Sequence, residues 1–107
     1  MADFLGEFEQ IVLLALLQLG DEAYGVTVQH AIAARTVRVP SLGTVYSTLA
    51  RLEAKGFVVA RLGDPTPERG GRRKKHFRLQ ATGRHALRRS LRALRTMSRG
   101  LSAAYDL

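Results

Sequence analysis

Apolar positions fall into segments of different period along this chain, separated by polar and turn residues. Residues 4–19 (FLGEFEQIVLLALLQL) predict a first helix, since no proline interrupts them and past Gly6 they favour the helical state. From Ile11 onward nearly every position is apolar, with Gln10 and Gln18 the polar exceptions. A helix that is apolar all round must be covered all round. In so small a domain one face meets the core, and the other calls for a partner, most simply a second copy of the chain. Gly20 and Asp21 end the run. Residues 24–34 predict a shorter second helix with Val28, Ala31 and Ile32 on one stripe. Residues 37–40 read as an extended link, because Pro40 keeps the residue before it out of the helical region.

Ser41 is a favoured N-cap and opens a third helix running to about Lys55. Leu42, Val45, Leu49 and Leu52 make its apolar stripe, while Thr44, Ser47, Thr48, Arg51 and Lys55 lie mostly off it. Gly56 ends the helix. Residues 57–62 are β-branched and aromatic enough for a strand. Residues 63–71 hold two prolines and three glycines and break regular structure, and residues 72–79 resume as a second strand. The pair is a β-hairpin with a long tip. A last helix is expected from about Thr82 to Ala104, with Leu87, Leu91, Leu94, Ser98, Leu101 and Tyr105 at alternating four- and three-residue steps, an a/d seam. The fold class is therefore mainly α with a β-hairpin. Its order is that of a winged helix-turn-helix, residues 1–80, followed by a long C-terminal dimerisation helix, residues 81–107, packed on the same domain.

Charge sharpens this picture. The chain has 107 residues and a formal net charge of +8, unevenly placed. Residues 1–54 carry three basic side chains against six acidic ones, whereas residues 55–107 carry fourteen basic against three acidic. Such asymmetry suits a polyanion, nucleic acid first and an anionic membrane second. There is no cysteine, which removes disulfides and thiolate metal sites. The start, Met1-Ala2-Asp3-Phe4, does not read as a signal peptide, and the run from Ile11 to Leu19 is too short to span a bilayer. A cytoplasmic location and no membrane partner are expected.

Candidate chemistry concentrates in two places. On the third helix Ser41, Gly43, Thr44 and Ser47 are small enough to approach base edges and phosphates, and a helix N-terminus itself favours a phosphate. Tyr46 either offers its hydroxyl to a phosphate or is a purely structural aromatic, and Ser47 and Thr48 equally suit a solvated face. Arg51 follows two turns on. In the hairpin Arg69, Arg72, Arg73, Lys74 and Lys75 fall within seven positions. Strand alternation splits them over two faces, so they meet one phosphate row only if the tip bends. A charged edge that resists aggregation is the competing reading. Phe8, Val12 and Leu16 of the first helix and Leu87, Leu91, Leu94 and Leu101 of the last are the dimerisation candidates.

Residues 43–58 (GTVYSTLARLEAKGFV) followed by 71–79 (GRRKKHFRL) resemble the PadR family of bacterial transcriptional regulators. Residues 5–19 and the Tyr24-Gly25 pair are similar to that family's opening, and the likeness extends over roughly residues 4–101. It implies a winged-helix homodimer on inverted-repeat double-stranded DNA, usually a repressor relieved by a small-molecule inducer. It implies DNA contact for residues 41–51 and the wing, and dimerisation for the first and last helices. One departure is that the threonine expected two residues after Leu79 is Ala81, so Thr82 is the expected cap of the last helix. Another is the absence of tryptophan, which some ligand-binding members use to hold flat aromatic molecules.

An enzyme finds little support. His30, His76 and His85 are far apart in sequence, no pair has the spacing of a helical metal site, and no glycine-rich loop joins a strand to a helix. No metal and no cofactor are expected. The alternative function is a nonspecific nucleic-acid binder or a winged helix used for protein contacts.

Overall fold

The computed structural model describes residues 4–63 and 73–107. Its elements are α1 (Glu7–Leu19), a 3-10 turn (Gly20–Glu22), α2 (Gly25–Arg35), α3 (Leu42–Ala54), β1 (Val58–Leu62), β2 (Lys75–Leu79), α4 (Ala81–Ser98) and α5 (Ser102–Tyr105). Local chemistry explains the boundaries. Glu9, three residues into α1, accepts the free backbone N–H of Gly6 at 2.8 Å, and Ser41 Oγ accepts that of Thr44 at 3.1 Å, so each helix start is capped. At the other end of α3, Gly56 adopts φ +79°. That left-handed turn lets Gly56 and Phe57 donate to Glu53 and Leu52 at 2.9 and 3.0 Å, closing α3 with a Schellman motif.

The first three helices pack around Leu13, Ile32, Leu49, Leu52, Val12, Val28 and Val45, the largest fully buried side chains. The antiparallel hairpin adds its inner face. Val58 pairs with Leu79 and Ala60 with Phe77, while Val59, Arg61, His76 and Arg78 point outward. A bridge between Tyr24 and His76, with Phe77 N–H donating to the Ala23 carbonyl at 2.9 Å, stitches β2 to the start of α2. This holds the hairpin beside the helix-turn-helix, the arrangement expected of a wing.

Several expectations need correction. Val12 and Leu16, assigned to a partner chain, are 0% and 3% exposed inside the protomer's own core. They have no surface left to offer. The accessible side of α1 instead carries the half-buried Ile11 and Leu14 and the exposed Leu17. Thr48, read as lying off the buried stripe, is buried at 2%. The last helix is not continuous to residue 104. Arg99 leaves the helical region and Gly100 takes φ +82°, so the seam drawn through Leu101 and Tyr105 is interrupted there. Nor does Thr82 cap α4. Gln80 occupies that position without a side-chain bond, and the Thr82 hydroxyl donates to the Gly56 carbonyl at 2.6 Å. Gly83, an unfavourable helix residue on propensity alone, has a steric reason to be there. A Cβ would stand 2.2 Å from the Phe57 carbonyl oxygen.

Candidate nucleic-acid interface

The start of α3 presents a patch of small hydroxyls. Ser41, Gly43, Thr44 and Ser47 are all exposed. Their hydroxyls are occupied locally: Ser41 donates to Thr44 Oγ1, and Ser47 donates to the Gly43 carbonyl, both at 2.9 Å. These bonds lie at the surface and can be exchanged for a phosphate or a base edge without stranding a buried group. Tyr46 is partly exposed, and its ring lies across Gly25, where a Cβ would sit 2.3 Å from Cζ. Its ring is structural, resting on the first turn of α2, and its hydroxyl stands at that helix's N-terminus.

Arg51 is held at one edge of the patch by a buried carboxylate. Glu9 Oε2 accepts from Arg51 Nε at 3.2 Å and from Lys55 Nζ at 3.0 Å, while its Oε1 takes the Gly6 N–H. Burial alone would raise the pKa of Glu9. The Gly6 N–H, Lys55 and Arg51 together outweigh that and hold it below the ordinary carboxylate range. The Arg51 side chain nevertheless stays 55% exposed, with one outer nitrogen 3.5 Å from the Thr48 hydroxyl. Arg38 is tethered in the same manner. It pairs with Glu7 and lies over the Phe8 ring, 5.9 Å from the centroid. The result is an open groove in which Thr44, Ser47 and Thr48 face the link residues Val39 and Pro40, with the two arginines alongside. Sequence reasoning missed Arg38, Lys55 and Glu9. The one available signal was the acid Glu9 at the third residue of α1, a position that the helix dipole favours in any case.

Arg69 and Arg72, two of the wing candidates, lie outside the described residues. Arg73 is exposed. The lysines that follow divide as alternation requires. Lys74 Nζ lies 3.2 Å from the Tyr24 hydroxyl and 4.5 Å from its ring centroid. Lys75 turns the other way, over Phe77 and 3.6 Å from Glu53 of α3. The His76 ring tilts against Tyr24, with centroids 5.3 Å apart, and its Nδ1–H donates to the Asp21 carbonyl. Tyr24 therefore joins the wing base to the first turn of α2, and Tyr46 joins that turn to α3. The three form one surface.

The dimerisation candidates grade along the chain. Phe8 and Leu91 are half-buried, Leu87 is buried, and Leu94 and Leu101 are exposed. A shallow apolar groove between α1 and α2 is lined by Ile11, Leu14, Gln18 and Ala31. Among the described residues no helix is long and apolar enough to cross a membrane.

The sequence matches the profile of the Transcriptional regulator PadR-like family over residues 13–89. No curated protein matches it. Among solved structures it is similar to a PadR family transcription regulator from Clostridium difficile, at 21% identity and a TM-score of 0.70, covering 90% of this chain and 96% of that one. It is similar to a PadR family transcriptional regulator from Eggerthella lenta, at 24% identity and a TM-score of 0.67, covering 92% and 85%. It is also similar to BpsR of Bordetella bronchiseptica, whose DNA binding is regulated by 6-hydroxynicotinic acid, at 23% identity and a TM-score of 0.64, covering 97% and 74%.

Proposed function

Because the chain belongs to the PadR-like family of transcriptional regulators, we propose that it acts as a homodimeric repressor in the cytoplasm, reading an inverted-repeat operator with one α3 from each protomer. The observation that carries this reading is the exposed hydroxyl patch of Ser41, Thr44 and Ser47, flanked by Arg38 and Arg51 and continuous with the wing base through Tyr46 and Tyr24. Hydroxyls and Gly43 approach base edges, while the arginines and Arg73, Lys74 and Lys75 neutralise phosphates on either side. Arg69 and Arg72 belong to the same phosphate-binding set.

The dimer reading rests on apolar surface. Leu94 is 61% exposed and Met97 78%, on a helix that buries Ala86 and Leu87 in the core and half-buries Leu91. The groove between α1 and α2 and the exposed Leu17 supply a matching apolar partner for that seam. In a two-fold dimer the two α3 helices stand about 34 Å apart, one turn of duplex. Residues 1–80 then form the reading head and residues 81–107 the dimerisation element. A small molecule bound where α4 meets a partner's α1 changes operator affinity if it favours one spacing of the heads over another. BpsR, regulated by 6-hydroxynicotinic acid, is a precedent on a related fold.

The test is capture of sheared genomic DNA on the purified protein at about 150 mM salt, followed by sequencing. A few fragments sharing an inverted repeat are expected. Uniform recovery of all fragments would overturn operator recognition in favour of nonspecific binding.

A further inference from the structure

The outer face of α4 is one-signed. Arg84, Arg88, Arg92 and Arg95 succeed one another at four-, four- and three-residue steps. At about 100° and 1.5 Å per residue they lie within an arc of about 80° and span about 16 Å of helix axis. All four are exposed, and α4 contains no Asp or Glu. Among the described residues none of the four takes part in an ion pair. Like charges four residues apart work against a helix, so the stripe is unfavourable in the isolated chain and calls for an anion. Every member is arginine, whose planar fork pairs two-pronged with phosphate and sheds water more readily than lysine.

The stripe borders the apolar side of α4 without lying on it. Gly83, Ala86, Leu94 and Met97 lie about 80° or more around the helix from it and Leu87 about 60°, while the half-buried Leu91, about 20° from Arg84, marks the boundary. A partner seated on Leu94 and Met97 therefore leaves the arginines outward. It also starts far from the operator. Gln80 N–H donates to the Phe57 carbonyl at 2.9 Å and Thr82 to that of Gly56, so α4 begins where α3 ends. That is the end of α3 opposite Ser41 and the end of the hairpin opposite its tip. A membrane is a poor occupant. An interfacial helix must sink its apolar side, and here Ala86 and Leu87 on that side are buried in the core, which leaves only Leu94 and Met97 as large apolar side chains exposed there. A row of four cations spread over about 16 Å suits a rod-like polyanion that carries a phosphate every few ångströms along its length, as duplex DNA does.

We propose that the Arg84–Arg88–Arg92–Arg95 stripe is a second duplex-DNA site, which takes the phosphate backbone of a segment other than the one read by α3 and the wing. One regulator then bridges two stretches of DNA. The proposal rests on the DNA-binding reading above only for the first of the two segments.

The experiment uses the full chain and a duplex immobilised on beads, and measures recovery of a second, fluorescent duplex. Wild type is compared with the R84Q/R88Q/R92Q/R95Q variant, since glutamine keeps the helix, and with R73Q/K75Q in the wing. Binding to one short duplex is followed separately by anisotropy. The stripe variant is expected to lose recovery of the second duplex by about tenfold or more, while single-duplex affinity stays within about threefold because the sites are distant. The wing variant should lose single-duplex affinity. Second-duplex recovery by wild type should fall with salt at a log–log slope near −3.6, four phosphates' worth. Failure of wild type to join two duplexes would overturn the proposal, as would equal recovery by the stripe variant or an equal loss in both assays. Stripe-dependent binding to phosphatidylserine vesicles without a second duplex would overturn it too. Genomic capture that finds no operator, alongside stripe-dependent bridging, would refute operator recognition and leave this site standing.

Discussion

Gly83 lies in the first turn of α4, where exchanging glycine for alanine ordinarily stabilises a helix by about 1 kcal/mol. Here a Cβ would stand 2.2 Å from the Phe57 carbonyl oxygen, 2.9 Å from the carbonyl carbon and 3.0 Å from its Cβ. A carbon–oxygen contact is comfortable near 3.3 Å, so α4 must retreat by about 1 Å. The obstacle is backbone, and no rotamer change relieves it. The retreat stretches the bonds from Gln80 to Phe57 and from Thr82 to Gly56, each a net ~0.5–1.5 kcal/mol. It also lifts Ala86 and Leu87, both 3% exposed, from the core, and a gap of 0.5–1 Å forfeits roughly a quarter to a half of such contact energy. Net of the propensity gain, Gly83→Ala should cost about 2–3 kcal/mol, a fall in Tm of roughly 8–15 °C for a domain of this size. The assay is thermal unfolding by circular dichroism at one fixed protein concentration, because the proposed dimerisation would make Tm concentration-dependent. Gly43→Ala is the control. Its Cβ meets only Ser41 Oγ at 3.9 Å, so it should be neutral or stabilising. A Gly83→Ala protein as stable as wild type, or more so, would refute the docking argument for α4.

Three further outcomes are expected. The folded pKa of Glu9 is lowered, so its stabilisation is complete above the unfolded carboxylate value of about 4.3 and is lost as pH falls through the folded value. Glu9→Gln should therefore flatten the acid limb of a plot of urea midpoint against pH, and an unchanged limb would assign it to other carboxylates. Gly25→Ala should displace the Tyr46 ring, lower both stability and DNA affinity, and cost little more in a Tyr46→Ala background; a coupling below about 0.5 kcal/mol would mean the two do not meet. Leu94→Glu with Met97→Glu should shift the mass by light scattering to that of one 11.8 kDa chain while the helical signal persists, and a stable dimer would remove α4 from the interface.

The legible parts of this sequence are the local ones. The three-four spacing of Val45, Leu49 and Leu52, the Ser41 cap and the Gly56 stop each act within a few residues, and each appears where the spacing puts it. What misled was phase. A helix as uniformly apolar as α1 does not say which side turns inward, so Val12 and Leu16 could be mistaken for partner-facing residues. A glycine at a heptad boundary is equally ambiguous, being tolerated in a helix at about 1 kcal/mol or ending it, and Gly100 ends it. The hydroxyl patch of α3 is local and could be read, whereas its cations are placed by residues far away in sequence. Arg51 and Lys55 meet Glu9 across 42 and 46 positions, and Lys74 meets Tyr24 across 50. No spacing rule reaches that far. The consequence is mechanistic, because Glu7 and Glu9 hold Arg38 and Arg51 from the first turn of the same helix that carries Leu14 and Leu17 on its accessible side. A ligand or partner that moved α1 against α3 and the link before it would have to stretch those ion pairs, which join the accessible side of α1 to the proposed DNA-contacting patch.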